Sequence, residues 1–203
     1  MGLYDKFVLP RIVNCVCGMK PTNKQREKVV PLAKGKVLEI GIGSGLNLPY
    51  YNPENVDHII GIDPSPDMWK LNEWRGEIDV DYVNASAEDL QFADHIFDSV
   101  VCTYTLCTIA DPNKALQEIK RVLKPKGKFI FTEHGLAPDE KVSQTQNRIN
   151  PYWKKLGGGC NLNRNIEILI SDNALHFQTI NKMYIPGWKP ASYNYWGVAS
   201  LTM

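Results

Sequence analysis

No apolar run in this 203-residue chain approaches the ~20 residues that cross a bilayer, so a membrane-spanning helix is not expected. Charge of neither sign prevails. The 23 lysines and arginines face 22 aspartates and glutamates, and the resulting net charge of +1 gives no global field to attract nucleic acid. The 5 cysteines (Cys15, Cys17, Cys102, Cys107, Cys160) are scattered and odd in number, which argues against a disulfide framework and for a reduced compartment. Cys15 and Cys17 stand without a second ligand pair, so no metal is expected. The N-terminal segment also lacks the basic stretch, apolar core and cleavage site of a secretory signal. A cytoplasmic location is the expectation, with contact at a membrane surface left open but not favoured.

What is present suits one domain large enough to bury its own core. Short apolar runs at residues 37–40, 58–62, 82–84, 99–105 and 128–132 read as strands buried on both faces. Between the last two, Ala115, Leu116, Ile119, Val122 and Leu123 recur at helical spacing, and residues 124–127 (KPKG) stop that helix and turn the chain. Residues 67–75 read as a helix after the Pro64 and Pro66 punctuation. Residues 137–160 read as a polar helix giving way at Pro151 and then to Gly157, Gly158 and Gly159. Residues 177–185 and 193–202 suit an antiparallel pair about Pro186-Gly187. Alternation of strand and helix implies a parallel sheet with right-handed crossovers.

The segment VLEIGIGSGLNLPYY opens with the first strand. It places Gly41, Gly43 and Gly45 in one turn, with Leu46 where a dinucleotide fingerprint has its third glycine and no phosphate-gripping lysine. Pyrophosphate is therefore disfavoured. A ligand without phosphate needs only close backbone approach, and a plain tight turn would use the same glycines. Asp63 closes the second strand, where an acid can accept from both ribose hydroxyls or cap the following helix.

Together Glu39-Ile40-Gly41-Ile42-Gly43-Ser44-Gly45, Asp63, Ala87-Glu88-Asp89 and Phe97-Asp98-Ser99-Val100-Val101 resemble the class I S-adenosylmethionine-dependent methyltransferases, of the type 11 domain. The resemblance implies an α/β, Rossmann-like fold: a mostly parallel seven-stranded sheet with an antiparallel last strand and helices on both faces. It implies S-adenosylmethionine as cofactor and S-adenosylhomocysteine as product. Gly41, Gly43 and Gly45 would let the cofactor lie against the loop, Glu39 would hold its amino group, and Asp63, followed by Pro64, its ribose. Ser86, Ala87 and Glu88 would face adenine, and Thr103 would lie near the reacting methyl.

A narrower likeness lies in Val101-Cys102-Thr103-Tyr104-Thr105-Leu106-Cys107, Glu133-His134, Pro151-Tyr152-Trp153-Lys154 and Gly158-Gly159-Cys160. These resemble the alkyl-thiol S-methyltransferases and their bacterial relatives, which implies a small-molecule acceptor with thiol sulfur favoured. Tyr4, Cys107, Trp153 and Cys160 are the expected substrate-side residues. His134 is either a proton acceptor for the nucleophile or a pocket-shaping hydrogen-bonding group.

One domain over 1–203 is expected, with N-terminal lid helices in 1–35, a cofactor-binding core in 36–135, a substrate-side insertion in 136–175 and C-terminal strands in 176–203. The alternatives are a lipid methyltransferase acting on a phospholipid amine or a quinone carbon, and a non-catalytic S-adenosylmethionine-binding protein. Oligomeric state stays open.

Overall fold

The computed structural model describes residues 4–201; the outermost ends of the expected 1–203 domain, Thr202 among them, lie outside the described residues. A π-helical turn over Tyr4–Val8 leads into α1 (Leu9–Cys17) and α2 (Lys20–Val29). The sheet-forming part then runs β1 (Gly35–Ile40), β2 (Val56–Ile62), α3 (Pro66–Trp69), β3 (Val80–Val83), β4 (Phe97–Thr103), α4 (Pro112–Val122) and β5 (Leu123–His134). It closes with α5 (Glu140–Leu156), α6 (Ile166–Asp172), β6 (His176–Tyr184) and β7 (Tyr193–Ser200).

The seven strands form one sheet in the order β3-β2-β1-β4-β5-β7-β6. Pairing is parallel through β5, while β7 runs antiparallel to both β5 and β6. This is the expected sheet, antiparallel terminal pair included. Because side chains alternate across a strand, the two faces collect separate cores. Leu38, Ile40, Val100, Phe129 and Phe131 pack with Leu116 and Ile119 of α4 on one face. Val37, Ile59, Val101 and Ile130 pack with Val29 and Val30 on the other. The α4 helix forms where periodicity placed it, and the Asp111 side chain caps it by accepting from the Asn113 and Lys114 amides. Among the described residues no helix is long and apolar enough to cross a membrane.

Three local expectations are corrected. The helix read over residues 67–75 ends at Trp69, because Asn72 takes the next turn for itself. Its Oδ1 accepts from the Trp74 amide at 2.9 Å and its Nδ2 donates to the Ser44 carbonyl at 3.1 Å. The helix α5 runs unbroken through Pro151. Proline removes one ladder bond, but buried Gln146 anchors the helix, with Nε2 2.8–2.9 Å from the carbonyls of Gly135, Leu162 and Pro190. β5 begins at Leu123 rather than after the KPKG turn. Leu123 pairs with Phe97 and Lys128 with Ser99, so residues 124–127 loop out opposite Asp98, where Lys124 Nζ meets its carboxylate at 2.8 Å.

Candidate functional site

In the sheet order, chain direction across the sheet reverses between β1 and β4, the switch point where open α/β sheets bind ligands at strand C-termini. A cavity of about 670 Å³ lies there, a size that suits a nucleoside-sized ligand. It is lined by the segments that leave β1, β2, β3 and β4. Leu9, Pro10, Val13 and Cys17 of α1 form a further wall.

The floor is the glycine turn. Gly41, Gly43 and Gly45 have φ of 70°, 53° and 81°, a region most L side chains avoid. At Gly41 the missing Cβ matters twice, because the Thr105 hydroxyl would sit 2.3 Å from it. Gly43 presents bare backbone and donates its N–H to Asp63 Oδ2 at 3.0 Å. Asp63 Oδ1 accepts from the Ser65 amide at 2.8 Å. Ser65 is the N-cap of α3, so Asp63 braces the turn instead of capping that helix. Each Asp63 oxygen keeps a lone pair for a ribose hydroxyl. Burial raises the Asp63 pKa above its ordinary value.

Glu39 is 1% exposed and lines the same cavity. It accepts from Asn47 Nδ2 at 2.9 Å and from the Tyr51 hydroxyl at 2.7 Å. Burial dominates nonetheless and pushes its pKa up to about 7. Asn47 Oδ1 in turn accepts from Arg26 Nε and from the Thr103 hydroxyl, both at 3.0 Å. The Arg26 guanidinium also donates to the Cys17 carbonyl and lies 5.2 Å from the Tyr104 ring centroid. An arginine from α2 thus ties α1 to the end of β4.

Glu133 is fully buried and accepts from the Thr105 and Leu106 amides at 2.7 and 2.9 Å, while burial raises its pKa. It sets Thr105 against Gly41. In the sequence Glu133, Asn47 and Tyr51 stand out only as members of longer motifs, and no local pattern marks Arg26.

Of the residues expected at the site, Glu39, Gly41, Gly43, Asp63, Pro64, Ser86, Ala87, Glu88 and Thr103 line the cavity together. Glu88 is also tied to the start of α4 by the Asp111 amide at 2.7 Å. Gly45 is not in the lining. A Cβ there would strike the Asn72 side chain at 2.2 Å, so it serves the turn. Tyr4 lies apart, with its hydroxyl donating to the Leu156 carbonyl. Trp153 packs against Trp188, with ring centroids 5.1 Å apart and the planes tilted by 36°, also outside the lining. His134, Cys107 and Cys160 gather behind the wall, with His134 Nε2 and Cys160 Sγ 3.2 Å apart.

This sheet order and switch-point cavity are those of the class I S-adenosylmethionine-dependent methyltransferase fold, and residues 38–131 match the family described as a methyltransferase domain. Among relatives, thiol S-methyltransferase TMT1B of Homo sapiens is 38% identical over 159 residues, 71% of this chain and 64% of that protein. Demethylmenaquinone methyltransferase of Paenarthrobacter aurescens is 33% identical over 133 residues, 63% of this chain and 52% of that protein. The chain thus spans between about half and two thirds of these relatives. A chain from the Haloferax volcanii complex of the Trm112 methyltransferase activator with a methyltransferase superposes with a TM-score of 0.73 at 18% identity, covering 98% of this chain and 96% of that one.

Proposed function

We propose that the chain transfers the methyl group of S-adenosylmethionine to the sulfur of a small thiol. The observation that carries the acceptor is the cavity wall beyond Glu39 and Asp63. There Thr103, Thr105 and Thr108 share the lining with apolar residues of α1, and no histidine or lysine lines the cavity among the described residues. An alcohol or a ring carbon would need a strong base at that point. A thiol of pKa ~8.5 is already a few per cent thiolate at neutral pH. The 38% identity to a protein named a thiol S-methyltransferase supports the same acceptor.

S-adenosylmethionine supplies an electrophilic methyl group on sulfonium. This chain holds and encloses it. Glu39 would face the ligand's ammonium, Asp63 its ribose hydroxyls, and residues 86–88 its base, while Gly43 would admit it against bare backbone. α1 covers the cavity as a lid that excludes water. Holding nucleophile and methyl in line can lower the barrier by ~7–11 kcal/mol, which is most of what such a displacement requires of a protein.

A second reading rests on a separate observation. Phe7, Val8, Ile12 and Val16, on and beside that lid, are exposed, which suits an acceptor presented from a lipid surface such as a phospholipid amine or a quinone. Incubation of purified protein and isotope-labelled cofactor with a panel of thiols, amines, phenols and quinones distinguishes the two. Label on thiol sulfur is expected. Label confined to a lipid amine or a quinone carbon refutes the thiol assignment.

A further inference from the structure

Three soft ligand groups from three separate segments meet beside the cavity: Cys107 after β4, His134 at the end of β5, and Cys160 between α5 and α6. Their ligand atoms all lie within 4.8 Å of one another. Tetrahedral zinc, bound at about 2.3 Å to sulfur and about 2.0 Å to nitrogen, sets its ligand atoms about 3.3–3.8 Å apart. The 3.2 Å between His134 Nε2 and Cys160 Sγ is already close to that spacing.

The surrounding backbone is fastened to keep the groups together. Asn161, next to Cys160, donates both its backbone and side-chain N–H to the Cys107 carbonyl, at 2.8 and 2.9 Å. Arg164 donates to the carbonyls of Leu106 and Ile109, on either side of Cys107. His134 is buried, and its Nε2 is the ring nitrogen turned to Cys160 Sγ.

We propose that Cys107, His134 and Cys160 bind one divalent ion of the zinc class and leave a fourth position that the acceptor thiol fills. Two thiols and an imidazole are the donor set that selects such ions. Three protein ligands with one place open is the arrangement of a reactive site, not a closed structural one. The open place has a route to the cavity. Cavity-lining Thr108 has its hydroxyl 3.5 Å from Cys107 Sγ, Gly158 of the lining lies two residues before Cys160, and Cys160 itself keeps some exposure.

Binding is balanced by proton release. The ion takes the two cysteine thiolates, the neutral imidazole and the acceptor thiolate, and three protons pass to solvent. His134 is then a ligand rather than a free base, and the expectation of no metal is reversed. The fourth-ligand part rests on the thiol reading, whereas ion uptake does not.

The test titrates full-length protein, reduced and stripped of metal, with cobalt(II) and then zinc(II). The expected result is one cobalt ion per chain, with thiolate-to-cobalt charge-transfer absorption in the near ultraviolet that zinc abolishes. Cys107→Ser, Cys160→Ser and His134→Gln should each weaken zinc binding by at least about tenfold, the least that even an outer partner of a metal site produces. Cys15→Ser should leave it unchanged, and circular dichroism checks that each variant is folded. Addition of a small alkanethiol to the cobalt form, with no methyl donor present, should shift the charge-transfer band.

Absence of charge-transfer absorption in the wild-type protein overturns the ion site without reference to any variant. So does zinc affinity unchanged in both Cys160→Ser and His134→Gln. A spectrum unmoved by saturating thiol overturns the fourth-ligand part. Failure to methylate thiols with the cobalt signal intact overturns the thiol reading and not the ion site.

Discussion

If Glu39 holds the cofactor's ammonium as proposed, it couples binding to pH. Its carboxyl titrates near 7 in the ligand-free fold because burial outweighs the bonds from Tyr51 and Asn47. A cationic ammonium binds the ionised form, so the complex has a lower Glu39 pKa and affinity rises with pH. The ionised fraction is about 0.03 at pH 5.5 and about 0.5 at pH 7, which predicts about a sixteen-fold gain in affinity across that window. The cofactor's own amino group, of pKa ~7.7–8.0, stays mostly protonated there. Asp63, the other cavity carboxyl with a raised pKa, adds a contribution of the same sign, so Glu39→Gln is the control.

Isothermal titration at pH 5.5, 6.2 and 7, in buffers of different ionisation enthalpy, measures both the affinity and the protons released. The variant should bind more weakly at pH 7 and lose most of the slope. The linkage has the opposite sign for the empty protein. A carboxyl raised from 4.5 to about 7 favours the fold when protonated, so this stabilisation is present at acid pH and is lost as pH rises through 7. Wild type should lose about 3 kcal/mol relative to Glu39→Gln between pH 4.5 and 7.5. A wild-type affinity constant within twofold from pH 5.5 to 7, or an equal slope in the variant, refutes the reasoning.

Two further predictions concern the same floor. Asp63→Ala removes an acceptor for two hydroxyls and releases the Gly43 amide, so affinity for S-adenosylmethionine should fall at least about tenfold by titration calorimetry; unchanged affinity would remove Asp63 from the site. Gly41→Ala sets a Cβ at φ 70° and 2.3 Å from the Thr105 hydroxyl, and should cost at least about 1–2 kcal/mol in urea unfolding. Adding Thr105→Gly should recover only the steric share, and full stability in the single variant would contradict the placement of Thr105 by Glu133.

The parts of this molecule that were readable from its sequence are those that contiguous residues determine. β1 and β4 announce themselves by apolar runs, α4 by its period, and the turn by glycines whose positive φ follows from having no side chain. Asp63 was open to two readings, ribose acceptor or helix cap. Local proximity suggests the cap, and the carboxylate does accept from a local amide, Ser65, but its other oxygen accepts from Gly43 across the turn. The same logic explains the three corrected elements, since a propensity pattern over residues 67–75 carries no information that Asn72 will reach Ser44.

What stayed hidden is the set of contacts between residues distant in sequence. Arg26 finds Asn47 only because α2 folds back beneath the turn, and Glu133 finds Thr105 only because β5 lies beside β4. Cys107, His134 and Cys160 are the extreme case. In the sequence Cys107 and Cys160 read as substrate-side residues and His134 as a proton acceptor or pocket-shaping group, and the expectation of no metal rests on the lack of ligands paired along the chain. His134 and Cys160 stand 26 residues apart, outside the short paired spacings by which zinc sites are read from a sequence. Ligands drawn from a loop, a strand end and a second loop come together only once parallel strands have fixed where the loops begin. A chain can thus carry a complete donor set with no motif, and the cobalt titration decides whether this one does.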